Sequence, residues 1–500
     1  MAKIRYAKGP VIYLYDKTNL KTRKRELLWG DWLRIGDDID DKWSEIKWGK
    51  ETFAIRKNDY QEERLCEMIF LDVGQGDGCI LTTPILPSAG REKIMIIDAG
   101  VGDNMDRYLN WRFRDFKKKF KFHAAVVTHP DADHYQGFQD VFENEQVSFA
   151  AVYHNGLLER TGNKPIGPVA NGFVTDIRAS RTAARQLYSD PDVRGRKWYP
   201  RLIWTALESD RFDDVRMLSS EHGQKEDGRT WMPGFGPSDY DEFTIEVLGP
   251  VVEKTPDGNK GLRTFGSTID SRAMDLGTTK NGHSVILRLR YRDFSVLFGG
   301  DLNAPAEHFL MRHYGNHGEA PTTVAETRDM ISQAREYFAV DLMKTCHHGS
   351  SDTTDEFLEA AGAAAFVISS GDEESYVHPR PDLLGLLGKK GRGRRPLLLS
   401  TELLRSTRER EDPALRTRLQ KLVEQIDEAD ASADKQKLRK EHDDIVDELL
   451  KRNVGVYGAV NLRTDGRKAV IAFRKEKPSG VSRWFYYELE KNVDGVFQVT

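Results

Sequence analysis

The stretch 126-VVTHPDADHYQG-137 places four metal-competent side chains, His129, Asp131, Asp133 and His134, within six positions at the end of an apolar run. Ala124 to Thr128 reads as a buried strand. Pro130 cannot donate to a ladder, so the strand should stop at or just after His129. The four side chains then share one tight loop beyond the strand end. Crowded carboxylates and imidazoles repel one another or lie idle, and a bound cation is the simplest way to reconcile them.

The chain around this loop has 500 residues, room for one large domain with insertions or for two or three smaller ones. A formal net charge of −4 does not mark a nucleic-acid binder overall, so any such role must rest on local patches. No window is apolar enough to span a bilayer, and the opening "MAKIRYAKGPVIYLYD" lacks a signal-peptide core, so the expectation is a soluble cytoplasmic protein with no membrane role. Three scattered cysteines do not make a disulfide framework.

Residues 1–65 carry short β segments such as "VIYLYD" and "ETFAIRK", separated by charged or glycine-containing turns. They read as a small β segment, barrel-like in the manner of a Src-homology-3 domain, or as an extra layer on the main domain. Residues 66–401 form the expected main domain, with an elaborated insertion at about 140–265. "NMDRYLNWRFRDFKKKF" has helical spacing of aromatics and a basic face. Residues 402–453 are charge-dense with leucines at helical spacing and predict a helical hairpin. This segment interrupts what reads as a continuous strand pair, "LLLSTE" to "GVYGAVNL". Residues 454–500 close the chain as a β-hairpin turning at Asp465–Gly466.

Other strand ends add ligand-type residues. Asp98 ends "IMIIDAG", Asp301 ends "VLFGGD", His347 and His348 follow "DLMKTC", and His378 follows "AAFVISSG". Each alone is weak, because a strand-end Asp is usually a turn residue. Their shared placement matters, since strand-end loops gather at one rim of a sheet.

The ordered series "FLDVGQGDGCIL", "IIDAG", "THPDADHYQG", "SVILRLRYRDFSVLFGGDL", "KTCHHGSSD" and "FVISSGDEESYVHPRPDLL" resembles the metallo-β-lactamase superfamily. More narrowly, it is similar to the hydrolase domain of the competence-type, ComEC-like branch. The resemblance covers roughly residues 67–140 and 243–400. It implies an α/β (α+β) fold, a four-layered αββα sandwich with a metal site at one edge of its two sheets. By the resemblance, His129 and Asp131 would hold one metal, Asp133 and His134 a second, and Asp301 would bridge them. One of His347 and His348 would complete a site, and Asp98 would orient the ligands by hydrogen bonding. Two divalent ions, manganese or zinc with magnesium as a further option, would activate a bridging water, and Asp133, Asp301 and His378 would be catalytic.

Two departures stand out. Most of the superfamily has histidine where this chain has Asp131, and a carboxylate there tilts a site toward Mn²⁺ or Mg²⁺. The histidine that usually precedes the next ligand strand is missing from its place. "NGHS" offers His283 instead, a candidate ligand weighed against a surface turn residue. Ser350 and Ser351 read chiefly as turn caps.

The expected activity is that of a metal-dependent hydrolase, a phosphodiesterase or nuclease. The alternatives are hydrolysis of a small ester, lactam or thioester on the same fold, or a scaffold subunit whose N-terminal segment and hairpin bind partners or a second copy. Two basic stretches bear on the substrate. "NWRFRDFKKKFKF" interleaves cations with aromatics, and "GKKGRGRRP" presents Lys389, Lys390, Arg392, Arg394 and Arg395 soon after His378. A cationic loop beside a hydrolytic site would suit a phosphate backbone.

Overall fold

The computed structural model describes residues 3–48, 51–74, 76–87, 90–114, 116–371, 377–401, 413–429, 433–442, 444–445 and 458–500. Two large mixed sheets face each other. The first has ten strands in the order Val215–Met217, Val147–His154, Phe120–Val126, Ile94–Ala99, Gly78–Thr82, Cys66–Phe70, Val460–Thr464, Ala469–Ser479, Ser482–Lys491 and Phe497–Val499. The second has eight: Gln224–Glu226, Arg229–Trp231, Phe243–Gly249, Ile286–Tyr291, Phe294–Phe298, Leu342–Lys344, Ala365–Ile368 and Leu397–Ser400.

Side-chain alternation explains the layering. Met68 and Phe70 point inward with Leu81, Met95 and Ile97 to meet Ile245, Leu287, Val296 and Phe298 of the second sheet. Phe70 stacks on Phe298 with ring centroids 5.9 Å apart. Ile69, Ile80 and Ile96 face outward, under the helices Asn104–Phe113, Phe138–Glu143 and Trp198–Glu208. Leu297, Met343 and Phe366 face outward on the other side, under Ala304–Tyr314, Val324–Phe338, Asp355–Ala361 and Pro381–Lys390. Burial on both faces is why these strands read as nearly continuous apolar runs. The result is the expected αββα sandwich.

Three arrangements differ from the reading of the sequence. Residues 140–265 are woven into the sandwich: Val147–His154 and Val215–Met217 belong to the first sheet, and Phe243–Gly249 with two short strands belongs to the second. "LLLSTE" and "GAVNL" are not a strand pair. Leu397–Ser400 pairs in parallel with Ala365–Ile368 in the second sheet, whereas Val460–Thr464 pairs with Cys66–Phe70 in the first. The helix expected over 104–120 stops at Phe113, because Arg114 turns left-handed (φ 56°). Its aromatics Phe113, Phe116, Phe120 and Phe122 then pack against one another. Their spacing is a core pattern.

In chain order between Leu397–Ser400 and Val460–Thr464, Pro413–Glu428 is a helix, and a second helical stretch covers 433–442. Leu419, Leu422 and Ile445 form their shared apolar contact, and Arg418 pairs with Glu441 at 2.5 Å. The remainder of the 402–453 segment lies outside the described residues. Residues 3–61 form a seven-stranded sheet of open order, so the barrel-like expectation gives way to a separate β layer. It has its own core of Leu14, Leu27, Leu33, Ile46 and Ile55. Leu28, Trp29 and Leu65 dock it on Val470 and Ala472 of the terminal hairpin, whose turn is set by Gly466 at φ 83°. Among the described residues no helix is long and apolar enough to cross a membrane.

Candidate metal centre

Ile94–Ala99, Phe120–Val126 and Val147–His154 run parallel, as do Phe294–Phe298, Leu342–Lys344 and Ala365–Ile368. The carboxyl ends of both sets open on one rim, and the loops there carry the site. Asp98 is delivered by a register shift in the pairing of Ile94–Ala99 with Gly78–Thr82. Such an irregularity re-aims a side chain, and Asp98 takes a left-handed backbone (φ 53°) that only a surrounding network holds in place. Its Oδ1 accepts from the Thr128 amide (2.8 Å), and Oδ2 accepts from Thr128 Oγ1 (2.7 Å) and from His134 Nδ1 (2.8 Å).

The expected orienting role of Asp98 therefore has a geometric basis. With Nδ1 donating to Asp98, a neutral His134 presents Nε2 as a lone pair. His348 is held the same way: its Nδ1 donates to the Ser369 carbonyl at 3.1 Å, leaving Nε2 as acceptor. The two Nε2 atoms face each other at 3.2 Å. Asp301 places Oδ1 3.1 Å from His134 Nε2 and Oδ2 3.1 Å from His348 Nε2, and Asp133 Oδ2 lies 3.2 Å from His348 Nε2.

Four lone-pair donors thus converge with no hydrogen between them, which is the donor set a cation requires. Ligand atoms around an ion bound at about 2.1 Å stand roughly 3.0–3.4 Å apart, matching these separations. Asp301 Oδ1 and Asp77 Oδ1 are buried and make no hydrogen bond, a further sign of fit. Without a cation, protons take its part. Burial opposes charge on His134 and His348, yet Asp301 and the carboxylates of Asp98 and Asp77 hold both pKa values well above the ordinary one. Burial likewise opposes charge on Asp301, but the two histidines hold its carboxyl well below the usual range.

Asp77, read in the sequence only as part of the turn "GQGDG", joins His134, Asp301 and His348 in a buried group able to hold a metal ion. Its Oδ1 is 3.2 Å from His348 Nδ1, and its Oδ2 pairs with the ammonium of buried Lys344. Gly76 makes this possible: at φ 122°, an added Cβ would sit 2.0 Å from the Asp133 carbonyl oxygen. The missed signal was Lys344 itself. A lysine in the buried strand "LMK" has to have a buried anion opposite.

The other expected ligands fall elsewhere. His129 packs on His134 (centroids 4.1 Å apart), with its Nδ1 near Thr128 Oγ1 and Ser284 Oγ; burial and neighbouring His134 push its pKa down to about 4. Its Nε2 is 3.7 Å from Asp131 Oδ2. Asp131 itself pairs with Lys280, which also reaches Glu159 at 3.3 Å. An ammonium therefore stands against the half of the site expected to hold a separate cation.

His347 does not join the cluster. Its ring lies 6.3 Å from that of His348 and 6.0 Å from that of His378. The choice between the adjacent histidines falls on His348. His283 is neither a ligand nor a surface residue: it is buried, its Nε2 meets the Arg263 carbonyl at 2.6 Å, and its ring packs on Phe265. Ser350 caps a turn, accepting from the Asp352 amide.

The basic loop expected at the site is at the wrong end of the sheet. Helix Pro381–Lys390 carries the chain away from the rim, and Arg392 binds Asp341 and the Val340 carbonyl at the amino end of Leu342–Lys344. Lys390 is held by Asp355 and Glu359. Lys389, Arg394 and Arg395 are exposed on that opposite rim. Ten helical residues span about 15 Å, so sequence proximity to His378 was a poor guide.

No family model matches the chain. A stretch of 204 residues, 39% of the chain, is 25% identical to ComE operon protein 3 of Bacillus subtilis (strain 168). The match spans 23% of that protein's own length. It agrees with the competence-type resemblance seen in the motifs, and the buried Asp/His group could hold a metal ion.

Proposed function

We propose that the chain is a metal-dependent hydrolase of phosphodiesters, with Asp133, His134, Asp301 and His348 holding a divalent cation and Asp77 and Asp98 supporting the histidines. The facing Nε2 atoms of His134 and His348, closed in by Asp301, carry this reading. A cation bound there would polarise a phosphoryl oxygen and lower the pKa of a water. The set pairs two carboxylates with two imidazoles, a donor mix that suits Mn²⁺ or Zn²⁺, and its carboxylate oxygens are the donors that Mg²⁺ also takes. The partial exposure of Asp131 and Asp133 marks the side from which substrate enters. Burial opposes charge on Asp133, yet His348 and His134 hold its carboxyl below the usual range, so it stays ionised and available to a cation. Likeness to the ComE operon protein supports a phosphodiester over a lactam or thioester.

The test is hydrolysis of bis-p-nitrophenyl phosphate, DNA, RNA and a chromogenic lactam after chelation and reloading with Mn²⁺, Mg²⁺ or Zn²⁺. Phosphodiester turnover that returns with metal is expected. Asp301→Asn should lower it by at least 100-fold, about 2.7 kcal/mol of barrier, while the folded state survives. Metal-independent turnover, or full activity in Asp301→Asn, would remove the cluster from the mechanism.

A further inference from the structure

A second site lies away from the metal rim. Where the N-terminal sheet meets helix Asn104–Phe113 and the terminal hairpin, a cleft of about 470 Å³ opens on the outer face of the ten-stranded sheet. Its walls alternate two kinds of side chain, the guanidinium groups of Arg25, Arg474 and Arg483 and the indoles of Trp48, Trp111 and Trp484. At the floor, Arg463 and Arg112 share Glu67. Arg463 is 5% exposed, and its Nε makes no hydrogen bond. Of the five arginines lining the cleft, Arg112 and Arg463 are taken up by Glu67 and Asp31, whereas Arg25 and Arg483 head no ion pair among the described residues.

Trp111 is 55% exposed and touches only Tyr108 among the described rings. A stabilising tryptophan would be buried. Arg25 stands over Trp48 at 5.6 Å, so cation and ring present their faces together. Guanidinium groups recognise phosphate in forked geometry, and indole faces accept bases of any identity. Paired bases of a duplex are not available for stacking, whereas those of a single strand are.

We propose that this cleft docks single-stranded nucleic acid, with phosphates on Arg25 and Arg483 and bases stacked on Trp111 and its neighbouring indoles. Glu67, at the floor, lies three residues from Phe70, whose strand ends toward the metal rim, about 10 Å away along the strand. A strand held in the cleft is thereby positioned beside the cluster. The inference stands on the cleft alone and extends the phosphodiesterase reading, which can fail separately.

Fluorescence anisotropy with a labelled 20-mer of dT, in EDTA so that nothing is cleaved, measures docking. Trp111→Ala should weaken binding about 10-fold or more. The Arg25→Ala/Arg483→Ala pair should flatten the salt slope by about 1.4 on a log–log plot. Arg394→Ala/Arg395→Ala, on the far rim, should leave affinity unchanged, and a 20-bp duplex should bind more weakly. Unaltered binding in Trp111→Ala, equal loss in the far-rim pair, or equal affinity for a poly-glutamate peptide would overturn the proposal. Turnover of bis-p-nitrophenyl phosphate by Trp111→Ala keeps the two readings apart. Retained turnover with lost oligonucleotide binding supports a separate dock, and turnover falling in step with binding overturns it.

Discussion

At the scale of single residues, the centre is governed by where hydrogens are not. Asp98 and the Ser369 carbonyl each take one imidazole proton, and that choice turns two remaining nitrogens into opposed acceptors. Lys280 is the countercase. Its ammonium sits on Asp131, and against desolvation Asp131 and Glu159 hold the lysine pKa above its ordinary value. A cation at His129 and Asp131 must displace that ammonium, so the intact protein is expected to hold one ion tightly. Lys280→Ala frees Asp131 and Glu159, and it should raise the tight Mn²⁺ stoichiometry from one to two in calorimetric titration. The same stoichiometry in both proteins would show that Lys280 does not guard the second position.

At the scale of elements, legibility followed periodicity and failed where contacts were remote. The strand ends at Asp98, His129–His134, Asp301 and His348 were visible because apolar runs stop abruptly in polar residues. Asp77 was hidden in a glycine turn, since its partner Lys344 lies 267 positions away. The five basic residues near His378 misled because a helix of ten residues moves the chain to the other rim. The helical pair beginning at Pro413 was legible in its leucines, but its place between sheets was not, because strand partners are not written locally. Its apolar contact is its own, Leu419 and Leu422 against Ile445. Replacing 402–453 by a Gly-Ser linker should therefore retain metal binding. The linker has to cross from one sheet to the other, about 10 Å at least, a span that about four Gly-Ser residues cover on average and about eight cover with slack. Loss of folded protein with that linker, judged by circular dichroism, would make the pair part of the core.

At the scale of the whole molecule, the proposed ligands come from both sheets: Asp133 and His134 from the first, Asp301 and His348 from the second. A cation therefore ties the two halves of the sandwich together, and its binding free energy adds to folding stability. At 100-fold excess over the dissociation constant this amounts to about 2.7 kcal/mol. The increment depends on pH with a definite sign. In the metal-free fold, His134 and His348 have pKa values well above the ordinary 6.5. The stability those protons contribute is fully present below the unfolded pKa and is lost as pH rises through the raised folded values. Metal binding requires the same nitrogens deprotonated, so it strengthens over the range in which the protons' contribution fades. Melting curves with and without Mn²⁺ should show a metal-induced rise in Tm that grows from pH 6 to pH 8, and binding should release protons, seen as a buffer-dependent enthalpy. In a His348→Ala variant both the rise and its pH dependence should largely vanish. An increment that is flat with pH, or that shrinks toward pH 8, would mean the cation sits on carboxylates alone and the facing imidazoles do not hold it.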